Sequence, residues 1–437
     1  MNDPEIEVES SVAGGKGGGR YAVLRNRDFI LYLVGRFFAS IGQQMLIFSV
    51  GWELYERTHA PLALGFVGLA FMIPMVALTL PAGHVADSFN RKRIIISMAT
   101  VLSFASLGLA VISWLQAPVM WVYACLFVIA GARTFLWPAS AAFLPHIVTP
   151  RLFPQAVAFN SGIFQLSSVA GPAIAGILLT WLAKRTETPA AIIYLINSAA
   201  GLFCVLLLSL IRREHAVVKR EPISFRNLGA GFRFVFENKI ILGTLTLDLF
   251  AVFLGGATAM LPIYAKDILS TTPNGLAALR MAMPIGAVIC TLIIAYRPPL
   301  QKAGRAMPWS VAVFGVATIV FGVAHVLWLS FGALVVCGAV DNISVIVRQT
   351  LVQVLTPDEK RGRVSAVNSL FIGTSNELGE FRAGMVAHFL GPVVGNSIAT
   401  GTIIAVVTGG VGTILAVIAV AWIWPELRRY GRLDSKA

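Results

Sequence analysis

Residues 144–176 read LPHIVTPRLFPQAVAFNSGIFQLSSVAGPAIAG, and residues 351–384 read LVQVLTPDEKRGRVSAVNSLFIGTSNELGEFRAG. The two stretches share one pattern. Thr149-Pro150 matches Thr356-Pro357. After one inserted residue, Asn160-Ser161 matches Asn368-Ser369, Ser167 matches Ser375, Gly171 matches Gly379, and Ala175-Gly176 matches Ala383-Gly384. Upstream, Gly131-Ala132 matches Gly338-Ala339. The copies stand about half a chain apart, so the chain reads as two halves of common design and like orientation.

The solvent of those halves follows from composition. Hydrophobic residues make up 57% of the 437 positions and charged residues 13%, against roughly 25% charged in soluble globular chains. Six apolar windows lie in the first half, at 29–52, 62–82, 94–115, 121–143, 156–182 and 190–211. Six more lie in the second, at 240–264, 275–295, 306–324, 327–351, 364–390 and 399–424. About 20 residues at 1.5 Å rise cross a hydrocarbon core of roughly 30 Å. Backbone polar groups in lipid must bond within their own segment, so each window is expected to be a helix. The fold class expected is an all-α integral membrane protein with twelve transmembrane helices in two six-helix pseudo-repeats.

The net charge of +13 is distributed as membrane topology requires. Of the 34 Lys and Arg, 25 fall in the two tails and the connections on the same side as the tails. Only Arg57, Lys184, Arg185 and Lys266 fall in connections on the other side. That asymmetry predicts both termini in the cytoplasm of a bacterial-type plasma membrane, and makes a nucleic-acid partner unnecessary. The four cysteines lie within spans, with no metal-ligand spacing. No cofactor or metal is expected. Residues 1–28, Gly-rich at 14–20, are expected to be a disordered tail, with the first span serving as its own insertion signal. The six-helix bundles are expected at 29–211 and 240–424, with a cytoplasmic tail at 425–437. The connection 212–239 carries Phe225, Leu228, Phe232 and Phe236 at helical spacing, which suggests an amphipathic helix on the membrane surface.

Between the second and third windows stands GHVADSFNRKR, residues 83–93. It resembles the loop signature of the major facilitator superfamily, with Gly83, Asp87 and the basic cluster Arg91, Lys92 and Arg93 at the matching places. Ser88 and Asn90 depart from that signature. In that family the loop braces the cytoplasmic ends of the two halves. The stretches NRDF (26–29), LPAGHVADSFNRKR (80–93), GFRFVFENKIILG (231–243) and LTPDEKRGRVSAVNSL (355–370) resemble the enterobactin-exporter-type branch and related drug–proton antiporter-like permeases. In the fifth window GPAIAG resembles part of an antiporter signature, which implies that Gly171, Pro172 and Gly176 shape a helix bend and a contact between halves. Close packing of small residues explains the same residues without any export role.

Ionisable groups in hydrocarbon cost about 2.5–3.5 kcal/mol each even on lenient scales. Spans 1, 4, 7 and 10, the cavity-lining helices of the family fold, carry Arg36, Arg133, Asp248, Asp341 and Arg348. Arg36 and Arg348 either snorkel to the nearer surface or face a cavity. Arg133, Asp248 and Asp341 are expected to face the cavity, with Gln43 and Gln44 as polar companions. Asp341 and Arg348 share a helix face about 10.5 Å apart, too far for a direct pair. The eleventh span adds Glu377, Glu380 and Arg382. Glu377 and Glu380 share a face, whereas Arg382 points elsewhere and needs another partner. These ten residues are the candidate substrate and proton pathway. HExxH, GxSxG, CxxC and GxxxxGK[ST] are absent, so no enzyme or ATP-driven pump is expected. The function expected is proton-coupled efflux of a siderophore-like, drug-like or other amphiphilic solute by a monomer in the bilayer. Import of a small polar solute, or a sensor built on the same fold, is the alternative.

Overall fold

The computed structural model describes residues 21–211, 232–256, 258–296, 303–395 and 397–426. These residues form helices with no strand among them. The first half comprises α1 (Arg27–Thr58), α2 (Pro61–Ser88), α3 (Arg91–Trp114), α4 (Val119–Ile147), α5 (Phe153–Leu182) and α6 (Pro189–Ser209). The second comprises α7 (Lys239–Gly255, continued by an outer piece at 258–268), α8 (Pro273–Ala295), α9 (Ala303–Val323), α10 (Leu327–Leu355), α11 (Asp358–Val394) and α12 (Ile398–Ile423). Eleven of these helices are long and apolar enough to cross a membrane. The other, α11, is long enough at 37 residues but carries Glu377, Glu380 and Arg382. The all-α, twelve-span architecture is therefore present.

Local chemistry sets the helix ends. Asn26, Asn90 and Asn238 are N-caps whose side chains accept bonds from the first free N–H groups of α1, α3 and α7. Prolines begin α2, α6 and α8, where the missing N–H costs nothing. The side-chain amide of Asn26 also donates to the Ile147 carbonyl at the end of α4 (2.6 Å), and Val23 is fully buried. Residues 21–28 are thus ordered, contrary to the disordered tail expected there. A short turn and a cap hold them against the first bundle. Helical residues 232–237 sit against α11, with Phe232 and Phe371 ring centroids 6.1 Å apart. Phe225 and Leu228, on which the amphipathic-helix expectation also rests, lie outside the described residues.

The outward surface is apolar along the spans, with Phe104, Ile177, Leu206, Val316, Leu415 and Ile418 exposed. Exposed Trp114, Trp121, Trp181 and Trp328 stand near helix ends at one level, and Trp309 and Trp422 near the other. That is the aromatic belt of a membrane-spanning bundle. Call the end of the bundle that bears the described termini the basic end. At the opposite end one core spans both halves and joins Leu54, Tyr55 and Tyr194 to Tyr264, Leu276 and Phe321. At the basic end the cores are separate. One, around Phe29, Phe143 and Ile147, belongs to the first half, and two, around Leu247 and Val347 and around Val235 and Val364, belong to the second. The halves are sealed at the opposite end and part toward the basic end.

The seal depends on small residues. A Cβ on Gly384 of α11 would lie 2.8 Å from the Cα of Gly65 of α2, and one on Gly176 of α5 would lie 2.6 Å from the Ala277 Cβ of α8. Backbones approach this closely only where side chains are absent. Tyr55 at the end of α1 donates to the Asp267 carboxylate, and Lys266 pairs with Glu56 at 2.7 Å. The ring centroids of Phe66 and Phe381 stand 5.8 Å apart.

The seventh span departs from the continuous helix expected over 240–264. Its α-helical part ends at Gly255, Gly256 takes φ −60° and ψ 68°, and residues 264–268 form a π-helix. Gly256 has room only for hydrogen, since a Cβ there would lie 2.8 Å from the carbonyl carbon of Gly379.

Candidate functional site

The internal repeat predicts which parts of α5 and α11 touch what, and the contacts obey it. Gly171 packs on α1, where a Cβ would meet Gln44 Cβ at 2.4 Å and the Ile41 carbonyl at 3.2 Å. Its twin Gly379 packs on α7, where a Cβ would meet the Val252 carbonyl at 2.7 Å. Gly176 and Gly384 then face the opposite half, as described above. Each small-residue motif therefore makes one contact within its own half and one across the seal. Gln44 is part of the first contact, and the buried Pro172 lies within a continuous α5.

Charge is added to this scaffold in α11 alone. Glu377 and Glu380 lie over Gly68 of α2, where a Cβ would come within 2.5 Å of the Glu377 carbonyl and 3.2 Å of Glu380 Cβ. Glu380 accepts from Thr258 in the outer piece of α7 (3.1 Å) and lies in electrostatic range of Arg280 on α8. Glu377 lies in electrostatic range of Glu380 and of Arg133 on α4 of the other half. Arg133 is solvent-accessible and its guanidinium stands 5.7 Å from the Phe71 ring centroid. Deep among helices yet accessible, it lines the cleft. The result is a balanced row, Arg133–Glu377–Glu380–Arg280, at the apex where the cleft meets the seal.

Arg280 was not singled out from the sequence, although a lone Arg in the window 275–295 was the available signal. Its Nε is buried with no hydrogen-bond partner. Arg382 finds the separate partners its angular position demanded. Nε donates to the Phe253 carbonyl (3.1 Å) and Nη2 to the Leu254 carbonyl. These are carbonyls that the break in α7 leaves without helical partners. The stretch Gly379–Arg382 thus spans that break. Arg382 holds the inner piece, Gly379 touches Gly256, and Glu380 holds Thr258 of the outer piece.

The remaining intramembrane charges do not share the cleft. Arg348 forms an ion pair with Asp248, both almost fully buried. Arg348 therefore does not snorkel, and Asp248 is not open to the central cavity. Asp341 lines a small compartment with Asp248, Ser310 and Ser344 between α7, α9 and α10. Arg36 and Gln43 line a compartment inside the first half between α1, α3, α4 and α6. The rotation of each helix, fixed by its neighbours, turns these side chains into the two bundles. Glu53 is satisfied locally, accepting from Tyr194 (2.7 Å) and pairing with Arg57 (3.4 Å).

The loop motif also acts within one half. Gly83 lies in the last turns of α2. Arg91 contacts the His146 ring and donates to the Ala142 carbonyl of α4 (3.4 Å). Lys92 donates to the carbonyls of Ile211 (2.6 Å), just past α6, and Ser209 (3.2 Å), its last residue. The N–H of Arg93 is capped by Asn90. Cations here meet the unpaired carbonyls of helix C-termini. These bonds tie α3 to α4 and α6, where a brace between halves was expected. The Asp87 side chain lies outside the described residues.

Residues 32–379 match the profile of the Major Facilitator Superfamily. The chain belongs to that superfamily. It is therefore a membrane transporter and not an enzyme. Macrolide efflux protein A of Streptococcus pyogenes is 21% identical over 375 residues, covering 83% of this chain and 90% of that one. The enterobactin exporter EntS of Citrobacter koseri is 24% identical over 406 residues, covering 92% and 93%. Among solved structures, a bacterial homologue of the human lysosomal transporter Spinster, in an inward-facing and unoccupied conformation, superposes with a TM-score of 0.73. It is 15% identical over 92% of this chain and 98% of that one, a likeness of fold.

Proposed function

We propose that this transporter exports a small amphiphilic solute in exchange for protons, with the Arg133–Glu377–Glu380–Arg280 row as the coupling centre. The observation that carries the reading is the placement of Glu377. It sits on α11 of the second half and faces Arg133 on α4 of the first, at the apex of the cleft. A carboxylate in that position binds Arg133 when ionised and releases it when protonated. Proton load therefore changes an attraction between the two bodies that must rock. A solute carrying a cationic or hydrogen-bonding group competes for the same carboxylates, which links its release to proton entry. The exporter relatives support the outward direction.

The excess of Lys and Arg at the basic end supports placing that end in the cytoplasm, so the conformation described opens inward. In this reading one chain suffices, since both halves of the site come from it.

The test is flux in everted membrane vesicles. Wild-type vesicles energised by respiration should accumulate a macrolide or a lipophilic dye and release protons on addition of it. Glu377→Gln and Glu380→Gln should each abolish solute-coupled proton movement while leaving equilibrium binding measurable. Intact proton coupling in both variants overturns the assignment of the row. Solute uptake only in right-side-out vesicles overturns export.

A further inference from the structure

Each half holds a small compartment of its own between its helices, lined in part by polar side chains. In the second half it lies between α7, α9 and α10, has a volume of about 10 Å³, and is lined by Asp248 and Asp341. The guanidinium next to it, Arg348, is neutralised by Asp248. The repeat relates α7, α9 and α10 to α1, α3 and α4, and the first half has a compartment between those helices and α6. This one has a volume of about 80 Å³ and is lined by Tyr32, Arg36, Gln43, Ser103, Ser140 and Asn197. No carboxylate lines it, and none of the ion pairs among the described residues includes Arg36.

The donor inventory is one-sided. Ser103 spends its proton on the Ala99 carbonyl and Asn197 donates to Ser106. Arg36 lies in electrostatic range of the Tyr32 oxygen. The Gln43 amide nitrogen is buried and has no partner. Arg36 and the Gln43 amide therefore offer donors beside a part-open space whose lining holds one cation and no acid. A half-buried guanidinium inside a helix bundle, with no carboxylate beside it, favours an anion as its neighbour. One water needs roughly 10–15 Å³ of such volume, so the space admits a halide with water, whereas the compartment of the second half, at about 10 Å³, has room for one water at most.

We propose that the compartment of the first half is an anion site. It binds a small monovalent anion of the chloride class between Arg36 and the Gln43 amide, and supplies to Arg36 the counter-charge that Asp248 supplies to Arg348 in the second half. The site lies in a bundle interior and not in the cleft, so its role is to complete the first half, whatever solute the cleft carries.

The test uses the full chain, purified in detergent, at constant ionic strength. Replacing gluconate, which is too large to enter, by chloride should raise the melting temperature saturably by a few degrees. Bromide should act likewise. In Arg36→Ala the chloride effect should vanish. Because Arg36→Ala alters packing, Ala39→Glu provides a second arm. Residue 39 lines the same compartment one turn from Arg36, and its carboxylate would imitate the second half. That variant should melt in gluconate at or above the wild-type chloride value and show no response to chloride. A wild-type melting temperature indifferent to chloride overturns the proposal, as does an undiminished chloride response in Ala39→Glu. Both results would mean that water alone fills the space.

Discussion

Removing either partner of the Asp248–Arg348 pair should damage stability far more than removing both. The side chains are 7% and 3% exposed, so neither survivor can reach water without moving a helix. Asp248→Ala leaves a guanidinium buried beside Ser344, whose hydroxyl has no partner of its own. Leaving one charge of a buried pair uncompensated costs about 3–5 kcal/mol, whereas replacing both with apolar residues of similar volume is near neutral or stabilising. Arg348→Met alone and Asp248→Leu alone should therefore each lower stability by about 3–5 kcal/mol. The double variant should recover most of that loss. The coupling energy from the double-mutant cycle should be several times the roughly 0.5 kcal/mol scatter expected of independent sites. The assay is reversible unfolding of the detergent-solubilised chain in a denaturing surfactant, followed by tryptophan fluorescence. Additive losses in the double variant would refute the burial argument, as would a near-wild-type Asp248→Leu. Either result would mean that the pair is hydrated and open to the cleft, as the sequence alone suggested.

Two further outcomes follow from the seal and from the broken seventh span. Gly384→Leu should wedge α2 from α11, because a Cβ would already lie 2.8 Å from Gly65 Cα. Transport should fall at least tenfold, and a cysteine placed at Thr258 in a background lacking Cys125, Cys204, Cys290 and Cys337 should label faster from the side opposite the basic end. Unchanged labelling would show that the seal lies elsewhere. Arg382→Met removes the donor to the Phe253 and Leu254 carbonyls and should cost about 1–3 kcal/mol for the exposed backbone acceptors. Hydrogen exchange should rise around residues 253–260 and not in α12, and an even rise across the second half would refute the local role.

The architecture was legible because it follows from quantities that add along the chain. Span length, apolar content and the bias of Lys and Arg each sum over a window, and the bilayer demands them of every span. The repeat was legible because Gly171, Gly176 and their twins Gly379 and Gly384 occupy contacts where a Cβ would collide with a neighbouring helix. The charged stretch of α11 was also visible, including the divergence of Arg382 from the Glu377–Glu380 face, since 100° per residue fixes relative angles within a helix. What a helix does with that face depends on its rotation about its own axis, and in lipid the apolar pattern constrains that rotation weakly. Asp341, Arg348, Asp248 and Arg36 could be placed at the right depth, but only neighbouring helices decide that they turn into the bundles. The same holds for the partners of the α11 charges. Arg133, Thr258 and Arg280 lie far from them in sequence, and the break at Gly256 is packed against Gly379 of a distant helix. The sequence by itself determined how many helices cross the membrane, how they repeat, and which of them carry charge. Tertiary structure alone decided which charges meet, because a pairing between helices depends on rotation and packing that no single helix contains.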